Sequence, residues 1–321
     1  MSSASIAATL PADGPCGSNA ESSQASATAF ARRRRSPATA LTVSGHGDGI
    51  GFTLDERAYL AEAALRTMGL VRGFGRLLVL TGHESSTVNN PFGSGYDCGA
   101  CGGNGGAVNA RALAEVLRDP QVRERLGARG IDIPDDTVVV GAVHDTTRDV
   151  IRVVDDVSLV PPSHLALLAR LQGDLDVAGA EVAARRLSTL PGGARLTSAT
   201  TAVATRAADW AQVRPEWGLV GNHAFIAAPR ELSRGLDLDG RVFLHSYDAA
   251  ADPDGTALEV ILTAPVVVAQ WINAHYAACA IDPEGYGSGC KTVHNVVGRI
   301  GVVAGARGDL RPALPVQAVN D

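Results

Sequence analysis

The chain has 321 residues, of which 45% are hydrophobic but only 4% aromatic, and its formal net charge at pH 7 is −6. This length allows one large or two smaller domains, with cores filled mainly by aliphatic side chains. The negative charge argues against a nucleic-acid surface. Five cysteines without a disulfide-framework spacing, and no signal peptide before them, indicate a protein of the reducing cytosol.

The N-terminal segment, residues 1–40, is predicted to be a disordered leader. Ser, Ala and Thr dominate it, and Arg32–Arg35 is an uninterrupted charge run. A transit peptide and a misassigned start codon are the alternative interpretations. Order is expected to begin near Leu41, so that residues 41–321 form an α/β domain.

The first part of that domain alternates helices with strands. Thr53 and Glu56 match a capping box, and apolar residues then recur at helical spacing as far as Met68. The elements predicted next are a strand at 77–80, helices at 107–117 and 122–128, and a strand at 137–143. Because strand, helix, strand is typical of a parallel sheet, we expect an α/β fold with a mostly parallel sheet flanked by helices.

The second part is predicted to contain a long amphipathic helix (163–190), a linker (191–206), two short strands (224–228 and 242–244), a mostly buried helix (258–279) and a final strand pair within 292–304. The longest apolar stretch, Ala264–Ile281, is interrupted by three polar side chains. It is therefore interpreted as too polar to span a bilayer unaided, and no transmembrane segment is expected. Trp210 and Trp217 are expected to anchor a core or an interface.

A polar, glycine-rich stretch, Thr81–Gly106, follows the first predicted strand. Open α/β sheets present their chemistry where strands end. His83 and Cys98, fifteen positions apart, are the best metal ligands in the chain, because imidazole and thiolate suit zinc. The loop between them is long enough to bring both to one point. Two ligands do not complete a zinc site, and the alternative is a buried histidine beside a small core cysteine.

Other features of this stretch suggest weaker hypotheses. Cys98 and Cys101 form a C-x-x-C pair before a helix, which allows a thioredoxin-like redox function. A zinc knuckle would need a second pair at finger spacing, and a phosphate-binding P-loop would need a Lys-Ser/Thr pair. His144 and His245 follow predicted strands and could face the same edge of the sheet, although a structural role is expected for each.

Long motifs in this sequence resemble a known family. They are GFTLDERAYLAEAALRTMGL, GHESSTVNNPFGSGYDCGACGG, NARALAEVL, DWAQVRPEWGLVGN, RVFLHSYD, TAPVVVAQWIN and DLRPALPVQAV. In this order, from about Leu41 onward, they resemble the DabA family of inorganic carbon transporter subunits. The resemblance implies a β-carbonic-anhydrase-like fold and a peripheral zinc protein at the cytoplasmic face of the cell inner membrane. It also implies docking on a proton-conducting membrane subunit, DabB, for energy-coupled uptake of CO₂ or bicarbonate.

The resemblance also implies which residues bind the Zn²⁺. In the family, a Cys and an Asp from an upstream C-x-D-x-R segment are followed by a His and a Cys, which fall on His83 and Cys98. This sequence contains no C-x-D-x-R segment. Half of the metal site and the Asp/Arg pair that would gate its open position are therefore missing, and the sheet is expected to be incomplete. Glu84 stands where the family usually has glycine, either as a substitute ligand or as an obstacle.

Three functional hypotheses follow. The first is a truncated or split carbon-uptake subunit, able to hydrate CO₂ through zinc-activated water only if another chain supplies the first half of the site. Its catalytic residues are unknown. The second is an inactive structural remnant without metal. The third is a C-x-x-C redox protein.

Overall fold

The computed structural model describes residues 6–10, 51–90, 92–190, 198–212, 222–297, 301–304 and 308–319. Within these ranges the strands are β1 (Ile6–Leu10), β2 (Leu77–Glu84), β3 (Val138–Asp145), β4 (Val150–Val153), β5 (Ala224–Ala228), β6 (Val242–Ser246), β7 (His294–Val297), β8 (Gly301–Ala304) and β9 (Leu310–Arg311). The helices are α1 (Leu54–Thr67), α2 (Gly93–Tyr96), α3 (Ala107–Arg118), α4 (Pro120–Ala128), α5 (Pro162–Thr189), α6 (Ala199–Ala207), α7 (Thr256–Thr263), α8 (Pro265–Ile281), α9 (Pro283–Tyr286) and α10 (Val316–Val319).

The first four strands form one mixed sheet in the order β1-β2-β3-β4. β2 and β3 are parallel over their whole length, which confirms the predicted strand-helix-strand unit. β4 is antiparallel to β3 because the turn Thr146–Asp149 is too short for a crossover. β1 pairs antiparallel with β2 and lies inside the predicted disordered leader. The other residues of that leader lie outside the described ranges, so the division at Leu41 stays a prediction.

Two smaller sheets complete the described strands. β5 and β6 form a parallel pair, and β7, β8 and β9 form an antiparallel sheet. Across the described ranges, four of the six strand pairings are antiparallel. The chain is therefore a mixed α/β protein, and the predicted predominance of parallel pairing is not confirmed. The β-carbonic-anhydrase-like architecture is not confirmed either.

The β2–β3 pair is covered on both faces, as parallel strands require. Leu78, Leu80 and Val139 pack with α1, α3 and α4 on one face. Their alternate neighbours on β2, Leu77 and Val79, pack with α5 on the other face. This alternation follows from the two-residue period of a strand, and it determines which side chains share a face at the end of the sheet.

Two boundaries differ from the sequence prediction. β2 continues four residues beyond the predicted end at Leu80, because β3 supplies hydrogen-bonding partners as far as Asp145. His83 therefore lies within the strand and not in the loop that follows. The predicted linker 191–206 contains a helix, α6, whose N-cap Ser198 accepts a hydrogen bond from the N–H of Thr201. Residues 191–197 are outside the described ranges.

The predicted single buried helix at 258–279 is wrong on both counts. The helix is interrupted at Ala264, because Pro265 has no N–H to continue α7 and instead begins α8. In the most apolar 18-residue window of Thr256–Ile281, only 11% is buried. By length and composition alone, the 26-residue segment Thr256–Ile281 is long and apolar enough to cross a membrane, with a mean hydropathy of 1.5 in its most apolar window. The expectation of no transmembrane segment stays a prediction.

Candidate functional site

His83 and His144 lie side by side at the carboxyl end of the parallel pair. They are register partners on β2 and β3, so their side chains point to the same face of the sheet. Counting alternate residues back to Val79 and Val140 places both on the α5 face. Glu84 lies on the opposite face. Imidazoles and carboxylate are therefore separated by the sheet.

The loop after β2 folds back onto the end of that strand. The N–H of Gly106 donates to the carbonyl oxygen of His83 at 2.7 Å, and the N–H of Ser85 donates to Asp97 Oδ1 at 2.8 Å. The N–H of Cys98 donates to the carbonyl oxygen of Asn104 at 3.1 Å. The predicted return of the loop is therefore confirmed for the backbone. Ligation of one metal by His83 and Cys98 stays a prediction.

Two glycines make this return possible. A Cβ on Gly82 would lie 2.5 Å from the carbonyl oxygen of Gly106, and one on Gly106 would lie 2.9 Å from the backbone nitrogen of His83. Gly102 and Gly103 adopt positive φ angles of 67° and 76° just after the 3₁₀ turn that contains Cys101. The glycine run is thus explained by close backbone packing and turn geometry, without a phosphate ligand.

The two cysteines of the C-x-x-C pair differ in environment. Cys98 is 1% exposed, whereas Cys101 is partly exposed and accepts a hydrogen bond from Asn109 Nδ2 at 3.0 Å. Burial and a hydrogen bond to the Cys98 thiol raise the pKa of Cys101 to about 11. A redox nucleophile needs the thiolate, so this environment works against the thioredoxin-like hypothesis. None of the four cysteines in the described ranges forms a disulfide bond.

Glu84 on β2 pairs with an arginine from β4, which lies two strands away in the sheet. Its Oε1 accepts a hydrogen bond from Arg152 Nη2 on β4 at 2.5 Å. Asp145, on the same face, accepts hydrogen bonds from Ser86 Oγ at 2.5 Å and Thr147 Oγ1 at 2.9 Å. Arg152 carries no local sequence signal for this role, because its approach to Glu84 depends on the antiparallel turn into β4.

The described residues do not form a complete metal site. Among them, no group of three or more His, Cys, Asp or Glu side chains is close enough to hold a metal ion. The imidazole of His83 and the thiol of Cys98 have the right chemistry for zinc, but they supply at most half of a four-coordinate site.

The other histidines and tryptophans do not extend this site. His245 lies in β6, in a separate sheet, where burial lowers its pKa. His275 on α8 packs edge-on against Phe92 of the loop, with ring centroids 4.5 Å apart. Trp210 is 61% exposed and so does not anchor a core, whereas the predicted alternative, an interface, stays a prediction. Trp217 lies outside the described residues.

A buried polar cluster contacts Asn89 in the loop after β2. Lys291, the only lysine in the sequence, is fully buried, and its Nζ donates to the carbonyl oxygens of Asp209 and Gln212. Asn89 Nδ2 donates to the carbonyl oxygen of Lys291 at 3.0 Å, and His294 Nε2 lies 2.8 Å from the carbonyl oxygen of Asn89. The cluster therefore connects the loop after β2 with two segments that are distant in sequence.

Replacing Lys291 by methionine is expected to remove a pH dependence of stability. Burial lowers the pKa of Lys291 to about 8 from 10.5. Between these values the unfolded chain binds more protons than the folded one, so stability rises with pH by about 1 kcal/mol per pH unit. Urea unfolding of wild type and Lys291→Met from pH 7.5 to 10 measures this slope. An equal slope in both proteins would contradict the prediction, whatever their absolute stabilities.

Comparison with known protein families identifies relatives over almost the whole chain. Residues 5–321 match the family described as "Probable inorganic carbon transporter subunit DabA". The chain belongs to the DabA family. The match begins earlier than the resemblance from about Leu41, and it includes β1.

Three DabA-family relatives illustrate the similarity. A "Probable inorganic carbon transporter subunit DabA 2" from Bradyrhizobium sp. strain BTAi1 is 52% identical over 86% of this chain and 32% of its own length. A relative named as a DabA subunit from Roseiflexus sp. strain RS-1 is 48% identical over 91% of this chain and 35% of its own length. Another, from Chloroflexus aurantiacus strain J-10-fl, is 50% identical over 84% of this chain and 32% of its own length. The chain spans about a third of the length of these curated relatives. No solved structure matches it.

Proposed function

We propose that this DabA-family chain is the part of an inorganic carbon transporter subunit that contributes His83 and Cys98 to a zinc site. The observation that carries the proposal is the hydrogen-bonded return of the loop, which brings the backbone of Cys98 back toward the end of β2. The two remaining ligands come from outside the described residues, either from the rest of a full-length subunit or from a second chain.

The proposed role is CO₂ hydration coupled to bicarbonate uptake. Zinc, when bound, lowers the pKa of a water ligand to about 7 and supplies the Lewis-acid chemistry. The residues of this chain hold the metal, and the packed glycines fix the loop that carries Cys98. The partner is a DabB-type membrane subunit at the cytoplasmic face of the inner membrane. The names of the relatives, which call them transporter subunits, support the existence of a partner subunit.

Zinc content tests the proposal. The protein to use is the full-length Bradyrhizobium relative in which this chain replaces the matched third, here called the chimera. We expect about one zinc per chimera, and at least a tenfold loss of zinc affinity after His83→Ala or Cys98→Ser, because each change removes a ligand. Metal analysis and competition with a chromogenic chelator measure both quantities.

Cys290 provides a matched control thiol. Cys290 lies outside the loop that carries Cys98, and its Sγ is 3.0 Å from Thr292 Oγ1. Cys290→Ser is therefore expected to retain zinc. A chimera that folds without zinc would overturn the proposal and favour the inactive remnant. Equal zinc loss in Cys98→Ser and Cys290→Ser would also overturn it, because the loss would then not depend on the proposed ligand.

A C-x-x-C redox function is the second candidate, because the thiols of Cys98 and Cys101 contact each other. The raised pKa of Cys101 and the burial of Cys98 weigh against it. Insulin reduction by the purified chain, lost on Cys101→Ser, is the result that would favour this candidate over the zinc site.

A further inference from the structure

One face of α8 is largely apolar, uncharged and exposed, with the exposed Gln270 at its edge. Val267, Trp271 and Ile281 are 56%, 74% and 83% exposed, and Ala274 between them is also exposed. These four residues, here called the α8 stripe, recur at helical spacing and so share one side of the helix. No Asp, Glu, Lys or Arg occurs anywhere in α8. A contiguous apolar face of this kind marks an interaction surface more often than a free surface.

The opposite face of α8 is already packed on the protein. Cys279 and the partly buried Tyr276 belong to a cluster with Tyr96 and the C-terminal Leu314. The hydroxyl of Tyr276 donates to the carbonyl oxygen of Val319 at 3.2 Å. To cross a bilayer, α8 would have to leave this packing. A helix that lies flat in a membrane interface is typically rich in Lys and Arg, and α8 has neither, so a protein surface is a better occupant of the stripe than lipid.

The length of the relatives indicates which protein surface this is. A relative 52% identical to this chain has only 32% of its length in the matched region, so about two thirds of a full-length subunit lies outside it. We propose that the α8 stripe is the surface on which this remaining part of a DabA-family subunit packs. The partner surface is then aliphatic or aromatic and uncharged, in keeping with the stripe itself.

The position of α8 relates this surface to the loop that carries Cys98. A Cβ on Gly99 would lie 3.7 Å from Val268 Cγ1, so the loop rests directly against α8. Val268 is the residue next to Val267 of the stripe, about 100° around the helix, so a partner on the stripe lies within about one helix diameter, roughly 10 Å, of the loop. The surface does not depend on zinc binding, although it brings the rest of the subunit close to the proposed half-site.

Thiol labelling tests the proposal with a matched pair of valines. Val267 on the stripe and Val177 on α5 are 56% and 60% exposed. In the 321-residue chain, thiols introduced by Val267→Cys and Val177→Cys are expected to react with iodoacetamide at similar rates. In the chimera, the reaction at position 267 is expected to slow at least tenfold, whereas that at position 177 is unchanged. Peptide mass mapping separates these thiols from the native cysteines.

Other occupants of the stripe give different results. Undiminished labelling at position 267 in the chimera would overturn the proposal. Protection in the isolated chain that grows with its concentration would overturn it in favour of a second copy. Protection by phosphatidylglycerol–phosphatidylcholine vesicles would overturn it in favour of a membrane surface. Zinc analysis of the same chimera is independent, because a protected but zinc-free chimera would contradict the proposed function and leave this surface supported.

A charge placed on the stripe gives a second measurement. Trp271→Glu and Trp210→Glu both replace exposed tryptophans, and neither is expected to shift the urea midpoint of the isolated chain measurably. In the chimera, only Trp271→Glu is expected to restore fast labelling at position 267, because it places a charge in the packed interface. Equal effects of the two variants would contradict the proposal.

Discussion

Replacing Gly82 by alanine is expected to lower the free energy of unfolding by about 2–4 kcal/mol. The added Cβ would lie 2.5 Å from the carbonyl oxygen and 2.6 Å from the carbonyl carbon of Gly106. Both are backbone atoms, so no side chain can rotate to relieve the clash. Either β2 or the start of α3 has to move. Urea unfolding measures the change in free energy.

The same substitution is expected to open the loop. Gly106 donates its N–H to the carbonyl oxygen of His83, and displacing Gly106 breaks that bond. Cys98, only 1% exposed in the native loop, should then become accessible. We expect its alkylation rate to rise at least tenfold in Gly82→Ala under native conditions. This labelling separates a local opening of the loop from a general loss of stability.

Gly173 on α5 provides the matched control. No heavy atom lies within 4 Å of a Cβ built there, and its φ is not in the left-handed region. Alanine at this helical position is expected to stabilise the protein by about 0.5–1 kcal/mol, because it restricts the unfolded chain. If Gly82→Ala were as stable as Gly173→Ala, the close contact of β2 with Gly106 would be wrong.

Replacing Asp155 by alanine is expected to lower the free energy of unfolding by about 3–5 kcal/mol. The side chain of Asp155 is 3% exposed and accepts hydrogen bonds from Arg118 Nη1 at 2.8 Å and from the backbone N–H of Gly141 at 2.7 Å. Arg111 Nε lies 3.5 Å from its other oxygen. Alanine would leave two arginine charges without their shared carboxylate and would leave a β3 N–H unpaired. Chemical denaturation at pH 7 measures the loss.

The neighbouring residue distinguishes this burial effect from a general effect of losing a carboxylate. Asp156 is exposed, and its Oδ1 accepts a hydrogen bond from the N–H of Ser158 at 2.8 Å. Asp156→Ala is expected to cost about 1 kcal/mol or less, because it removes only a turn cap. Asp155→Asn should fall between the two, since it retains a hydrogen-bond acceptor without the charge. Equal losses for Asp155→Ala and Asp156→Ala would refute the buried network.

Sequence by itself determined the elements that local chemistry specifies. The capping box at Thr53 and Glu56 is present, and α1 begins directly after it. The long amphipathic helix is α5, and the β-branched run before His144 is β3. The glycine-rich stretch was also identified as a returning loop. These predictions depend on periodicity, capping and turn residues, which act over a few neighbouring positions.

Only the tertiary structure decided how these elements combine at the candidate site. The pairing of Glu84 with Arg152 joins residues 68 positions apart, and the contact of Lys291 with Gln212 joins residues 79 apart. The register that puts His83 beside His144 arises from strand pairing and not from either segment alone. The exposure of α8 could likewise not be predicted from its sequence, because an apolar helix has the same composition in a core and at an interface. Burial depends on which other surface covers the helix, and that surface is not encoded in the helix itself.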